Sequence, residues 1–372
     1  MRVVLAHDYL IQMGGAEKVL QSFQEIYQDS PVFVLVYDRK LDRIFPAEKI
    51  KTSWLQYMPA AISKYQWYLT LMPQAIESFG VKGADVILSS SSSMAKGIIT
   101  GKNTMHICYC HTPTRYLWHG ASEYIKDLGY SYLVKKIIPI FLRSLKNWDL
   151  VAAQRVDVFI ANSKAVQQRI KQYYNRDSKV IYPPVETDKY YIDENLGDYY
   201  LIGGRLVGYK RYDVAVKAFT KLGIKLKVFG DGPEYSKLKK MAGKNIEFLG
   251  NVSDSVKSRL YRQAIAFIYP QVEDFGITAI ESMASGRPVI AYFKGGAIET
   301  VVSHQTGEFF EEQTWECLAN KIIYFKPEKY DSTLIKQHAE RFNLDRFKVQ
   351  IKNYINNEWI KFETNRVFTI KK

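Results

Sequence analysis

The run Gln271-Val272-Glu273-Asp274-Phe275-Gly276-Ile277-Thr278-Ala279-Ile280-Glu281-Ser282-Met283-Ala284-Ser285-Gly286-Arg287-Pro288 decides the fold of this chain. A β-rich apolar run, Ala266–Tyr269, stops at Pro270 just before it, and helical spacing begins near Gly276 after a polar loop. Gly286 ends that helix and Pro288 bars its extension. Strands alternating with helices in this way build parallel sheets with crossover helices, so an α/β fold is expected. Ligands of open α/β sheets bind beyond the carboxyl ends of the strands. Glu273 therefore belongs to a ligand-side loop, and Glu281 lies two turns into the helix. Backbone amides around Phe275, Gly276 and Ile277 can bind a phosphate, while Glu281 can accept hydrogen bonds from sugar hydroxyls. In isolation the two glutamates would read as a loop charge and a solvated helix residue.

A second constellation, Gly203-Gly204-Arg205-Leu206-Val207-Gly208-Tyr209-Lys210-Arg211, follows the expected strand Tyr199–Gly203. Arg205 and Lys210 share one strand-to-helix loop and can flank a diphosphate from two sides; plain surface solvation is the alternative. The turn Gly230-Asp231-Gly232-Pro233 closes the next strand, Leu226–Gly230, and further strands are expected at Ile246–Leu249 and Pro288–Tyr292. The first half repeats the pattern, with strands near Val3–Tyr9, Val32–Tyr37, Ala84–Ser89, Met105–Cys110, Asp157–Asn162 and Lys179–Tyr182.

After the opening strand comes a glycine loop, Met13-Gly14-Gly15-Ala16-Glu17, leading into a helix through Val19, Leu20, Phe23 and Ile26. Two glycines let amides approach an anion or a sugar. The loop lacks the third glycine of a dinucleotide fingerprint and the Gly-Lys-Ser/Thr of a P-loop. Tyr182-Pro183-Pro184-Val185 reads as a linker, because neither proline can donate to a ladder and each holds its predecessor out of the helical region. The expected organisation is two Rossmann-like doubly wound domains, 1–183 and 184–343, facing a central cleft. A helical tail, 344–372, carries Phe347, Ile351, Tyr354, Trp359 and Ile360 and is expected to pack back on the first domain.

The 372 residues, 47% hydrophobic and 14% aromatic, are enough for two cores and exclude global disorder. Of three cysteines, Cys108 and Cys110 stand two apart in an apolar run, which suits neither a zinc knuckle nor a redox pair. A reducing compartment follows. The His-Asp pair after the short opening run Met1–Ala6 argues against a signal peptide, and no apolar stretch approaches a membrane span, so a cytoplasmic protein is expected.

The net charge of +14 invites nucleic acid, an anionic membrane or phosphorylated small molecules as partners. The excess is +9 in residues 1–184 and +5 in 185–372, with no dense basic block, which disfavours a nucleic-acid groove. The stretch Tyr124–Trp148 mixes aromatics with Lys and Arg. It reads either as a segment lying on an anionic bilayer or as a core-facing helix interrupted at Pro139.

Taken in order, Gly204-Arg205-Leu206 with Lys210, the Gly230–Pro233 turn, Glu273 and Glu281, and Gly295-Gly296 with Glu299 resemble the nucleotide-sugar half of the family 4 retaining glycosyltransferases. The N-terminal half extends the resemblance. His7-Asp8-Tyr9, Met13–Lys18 and Tyr109-Cys110-His111-Thr112-Pro113-Thr114-Arg115-Tyr116-Leu117-Trp118 are similar to bacterial polysaccharide and O-antigen mannosyltransferases. The resemblance implies a GT-B fold, with the donor in the C-terminal domain and the acceptor mainly in the N-terminal one. It implies that Gly15, with Gly14 beside it, approaches the donor diphosphate or transferred sugar, and that His111 lines the sugar pocket. Arg205 and Lys210 would hold the diphosphate, Glu273 the sugar hydroxyls and Glu281 the ribose. Gly204, Gly230, Asp231, Phe275, Gly276 and Ile277 complete the implied donor loops.

The implied reaction moves a hexose, mannose from GDP-mannose being the first choice, onto a cell-surface polysaccharide or a lipid-linked, polyprenyl-type saccharide. Peripheral association with the inner membrane face would suit such an acceptor. Departure of a nucleoside diphosphate builds negative charge, which two fixed cations can stabilise. No Asp-x-Asp occurs in the chain, in keeping with a transferase that needs no metal or other cofactor. Retention in the family is ascribed to same-face attack, and a covalent role for Glu273 is not implied. The residues alone leave Ser89–Ser93 as acceptor hydroxyls or a polar turn, and His7 and Asp8 as substrate contacts or loop packing. Two rival readings are a sugar-nucleotide epimerase of the same architecture and a non-catalytic protein binding nucleic acid or membrane through its basic surface.

Overall fold

Apolar runs such as Val3–Ala6 and Val86–Leu88 open the central strands, since a strand covered by helices on both faces has no polar side to present. The computed structural model describes residues 1–118 and 132–370. In the first unit the strands are β1 (Val3–His7), β2 (Val32–Val34), β3 (Ile50–Thr52), β4 (Val86–Ser91), β5 (Met105–Cys110), β6 (Val158–Ala161) and β7 (Ser178–Val180). They form one parallel sheet in the order β3-β2-β1-β4-β5-β6-β7. Every residue of β1, β4 and β5 is buried.

The second unit holds β8 (Tyr200–Gly203), β9 (Leu226–Phe229), β10 (Ile246–Gly250), β11 (Phe267–Tyr269), β12 (Val289–Tyr292) and β13 (Gly307–Phe310). Their order is β10-β9-β8-β11-β12-β13, again parallel. In each sheet the strand order reverses once, between β1 and β4 and between β8 and β11. Crevices beyond the carboxyl ends of strands at such a reversal are where ligands of these folds bind. Two edge strands escape the sequence reading, β3 and β13. An edge strand of three or four residues needs no apolar run, so it leaves little pattern behind.

The two compact units are Met1–Pro183 with Phe347–Lys372, and Pro184–Arg346. The first recruits the last helix, Leu344–Ile370, whose Phe347, Ile351 and Ile355 are buried in one cluster with Val3, Leu5, Phe23 and Tyr109. Phe347 stacks on Phe23 at 6.0 Å between ring centres and meets Tyr109 edge-on at 5.9 Å. Tyr354 and Trp359 are partly buried against that cluster, whereas Ile360 is exposed.

Of the stretch Tyr124–Trp148, residues 124–131 lie outside the described residues. The remainder belongs to the helix Tyr132–Gln154, which runs through Pro139 without interruption, correcting the expected break. Proline removes one helical hydrogen bond, and burial of Leu142, Leu145, Ala152 and Ala153 further along offsets that loss. No helix among the described residues is long and apolar enough to cross a membrane.

Candidate functional site

In the second unit the strand reversal brings the loops after β8 and β11 side by side. The loop after β8 turns at Gly204, and the Gly230–Pro233 turn after β9 nests on it. A Cβ built at Gly230 would come within 1.9 Å of the Gly204 carbonyl oxygen, and the φ of +103° at Gly230 favours glycine independently. Asp231 binds the next amide, Gly232 N, through its own side chain at 2.7 Å, and its carbonyl accepts from Leu206 N at 2.9 Å. Asp231 thus braces the two loops against each other.

Lys210 and Glu273, assigned separately from sequence, form an ion pair with Nζ 2.9 Å from Oε1. Tyr269, the last residue of β11, donates its hydroxyl to Glu273 Oε2 at 3.1 Å. Burial and the Glu273 carboxylate push the Tyr269 phenol well above its usual range, so it stays a donor. Gly296 N donates to the Glu273 carbonyl at 2.7 Å, so the Gly295-Gly296 turn supports the loop from behind. Arg205 is exposed and its side chain makes no ion pair among the described residues.

The helix Ile277–Ala284 begins at Gly276, whose φ of +97° lies in the left-handed region. A Cβ there would strike the Tyr269 hydroxyl at 2.6 Å. Gly276 has no side chain to cap this helix start, where the positive end of the helix dipole favours an anion. Nearby polar groups are also unsatisfied: the Tyr212 hydroxyl and Thr278 Oγ1 are buried without a hydrogen-bond partner among the described residues. Phe275 is buried and packs edge-on against Phe342 at 5.4 Å.

Glu281 is buried, which excludes the solvated-glutamate alternative. Its Oε1 pairs with Lys257 Nζ at 3.1 Å, and its Oε2 accepts from the Tyr261 hydroxyl at 3.1 Å. Burial first, and the Glu281 carboxylate second, raise the Tyr190 phenol far above its usual range. Sequence reasoning missed Tyr190, Lys257 and Tyr261, because nothing in their local spacing ties them to Glu281.

In the first unit the loops after β1, β4 and β5 meet. Asp8 accepts four hydrogen bonds: Ser92 N and Oγ at 2.8 and 3.1 Å, and Met94 N and Ala95 N at 2.7 Å each. Both carboxylate oxygens are thus spent on the loop after β4, which resolves the Asp8 alternative as loop packing. Ser90 and Ser89 hydrogen-bond to histidines, at 2.8 Å to His111 Nε2 and 2.9 Å to His106 Nε2. Burial lowers the His106 pKa to about 3, so that ring is neutral. His111 is partly exposed just beyond β5, with its ring edge-on to Tyr109 at 5.2 Å. Gly14 precedes the helix Gly15–Ile26 and has no side chain to cap it.

A buried polar cluster underlies these loops. Lys96 Nζ lies 2.6 Å from Asp149 Oδ1, with both side chains almost wholly buried. Thr114, Trp118 and Tyr174 also donate to Asp149, at 2.7, 2.8 and 2.7 Å. Burial pushes the Lys96 ammonium down, and the Asp149 carboxylate more than reverses that, leaving its pKa raised. The only sequence signal was one charge inside each of two apolar runs.

His7 behaves similarly. Burial lowers its pKa, and hydrogen bonding and charge from Glu17, with Asp8 adding, carry it above 6.5. A raised folded value means that the Glu17–His7 pair contributes stability fully present below about pH 6.5 and lost as pH rises through the folded pKa. The unfolding free energy of the native protein minus that of Glu17→Gln should therefore shrink between about pH 6 and pH 9. A constant difference across that range would remove the pairing.

The sequence matches two protein-family profiles, glycosyltransferase family 4 over residues 13–189 and glycosyl transferases group 1 over residues 194–341. The α-1,3/1,6-mannosyltransferase ALG2 of Candida glabrata is 24% identical to this chain, covering 82% of it and 79% of the relative. ALG2 of Saccharomyces cerevisiae is 26% identical, covering 80% and 70%. Among solved structures, Anabaena HepE in complex with UDP superposes with a TM-score of 0.71 at 17% identity, covering 96% of this chain and 100% of that one.

Proposed function

Because this chain belongs to the GT-B glycosyltransferases of the family 4 type, we propose that it transfers mannose from GDP-mannose, with retention and without a metal ion. The acceptor we propose is a cell-surface polysaccharide or polyprenyl-linked saccharide, reached at the inner face of the membrane. One observation carries the reading: the Lys210–Glu273 pair stands beside the glycine start of helix Ile277–Ala284, where β8 and β11 end. A cation, a helix start and a carboxylate in one place match the needs of a diphosphate joined to a sugar.

In this reading Lys210 and Arg205 stabilise charge on the departing diphosphate, together with the amides of Ile277 and Thr278. Glu273 accepts hydrogen bonds from the sugar hydroxyls, its orientation set by Tyr269. Glu281 takes the ribose hydroxyls by sharing its carboxylate with Lys257 and Tyr261. In the first unit, His111 and the Gly14-Gly15 loop are proposed ligand contacts. The acceptor attacks on the face the diphosphate leaves, and the leaving oxygen takes the acceptor proton. Mannose is favoured by the two ALG2 relatives, which are α-1,3/1,6-mannosyltransferases.

The test is thermal protection and donor turnover against a panel of nucleotide sugars, with EDTA present throughout. GDP-mannose should raise the melting temperature most, since a ligand that binds only the folded state stabilises it in proportion to the logarithm of its concentration over Kd. Preferential protection by a UDP-sugar would overturn the donor, and turnover only after metal addition would overturn the metal-free mechanism. Protection by no nucleotide sugar would end the proposal.

A further inference from the structure

His111 does not stand alone. Its Nε2 lies 2.8 Å from Ser90 Oγ, and the same hydroxyl lies 3.1 Å from His7 Nδ1. His7 Nδ1 is also 3.0 Å from the Ser90 carbonyl oxygen. At the far side of His7, Nε2 faces Glu17 Oε1 at 3.7 Å. The four residues form a single file, Glu17, His7, Ser90 and His111, running from the first turn of helix Gly15–Ile26 through β1 and β4 to the end of β5.

The proton positions along this file follow from donor and acceptor chemistry. A carbonyl oxygen can only accept, so His7 Nδ1 must carry a hydrogen pointing at Ser90. The Ser90 hydroxyl, facing that N–H, is an acceptor on its His7 side. Its own single proton is then directed to the remaining neighbour, His111 Nε2. A nitrogen that accepts cannot carry the ring proton of a neutral imidazole, so that proton sits on Nδ1 of His111. Glu17 favours a proton on His7 Nε2 as well, which strengthens the polarity of the whole file.

We propose that Glu17, His7 and Ser90 act as a tautomer lock that sets the proton of the neutral form of His111 on Nδ1. His111 thereby presents its N–H at Nδ1, and its Nε2 is engaged by Ser90. Glu17, His7 and Ser90 are positioning residues in this scheme. Gly14 makes room for it, because a Cβ there would meet Glu17 Oε2 at 2.9 Å and displace the carboxylate. The effect on turnover rests on the proposed transferase function, whereas the lock itself does not.

The deciding measurement is the nitrogen NMR spectrum of the full-length protein labelled at histidine nitrogens, with His111 assigned through His111→Gln. The expected result is an unprotonated Nε2 and a protonated Nδ1 at alkaline pH, changing toward a mixture of tautomers in Ser90→Ala. A native His111 carrying its proton on Nε2 overturns the lock, and so does a Ser90→Ala spectrum identical to the native one. Should Ser90→Ala fail to fold, the native spectrum with that of Glu17→Gln decides, since removing the carboxylate should shift the His7 resonances. In the donor assay, Ser90→Ala should lose about two- to tenfold in turnover, the range of one neutral hydrogen bond, and Ser90→Thr should recover it. A locked tautomer with no turnover of any nucleotide sugar would keep the lock and reject the transferase reading.

Discussion

Lys210→Ala is expected to lower turnover about 10²- to 10³-fold, the scale seen when one preorganised electrostatic group is removed from a developing charge. Lys210 is largely buried, so its charge acts through protein rather than bulk water, where its effect would be weak. Exposed Arg205 has more solvent around it and should contribute less when replaced. The substitution also strips Glu273 of its counter-ion, though Tyr269 still donates to it at 3.1 Å. Lys210→Arg should recover part of the loss by retaining the charge with a different geometry. The measurement is kcat with the donor selected by the panel, on protein shown to be folded. Unchanged turnover in Lys210→Ala would remove the diphosphate role.

The largest expected effect on stability belongs to Lys96→Met, at about 3–5 kcal/mol, the usual cost of leaving one member of a buried ion pair uncompensated. Asp149 keeps its hydrogen bonds from Thr114, Trp118 and Tyr174 in the variant, but they are neutral donors and do not cancel its charge. Replacing both partners, Lys96→Met with Asp149→Leu, removes the charge problem and should recover part of the loss; Thr114 can still donate to the Ser93 carbonyl, whereas Trp118 and Tyr174 lose their acceptor. Urea unfolding of the first unit, followed through its own tryptophans, reads both. If the single variant is as stable as the native protein, the pair is not the buried charge cluster described.

Much of the architecture was legible because its signals are local. Apolar runs ended by Pro270, Gly203 and Gly230 mark strands and their turns within a few residues, and Gly286 with Pro288 marks the end of a helix. The tail was legible through Phe347 and Ile351, while Ile360 was misread as a packing residue, since an apolar side chain on a helix does not reveal whether a partner faces it. Pro139 was misread for the related reason that tertiary packing can outweigh a local penalty.

The site divided along the same line. Arg205, Lys210, Glu273, Glu281 and His111 could be chosen from residue type and position at strand ends, and their family resemblance supplied the expected roles. Their partners could not be chosen. Asp8 serves an amide 87 residues away, His7 meets Ser90 across 83, and Tyr261 reaches Glu281 across 20. By itself the sequence determined the two parallel α/β sheets and the loops that hold the chemistry, because periodicity and turn preference act between neighbours in the chain. Only the tertiary structure decided that Lys210 pairs with Glu273, that Asp8 is a brace, and that Ser90 couples two histidines. Hydrogen bonds and ion pairs depend on distance and direction in space, which sheet order and loop packing set.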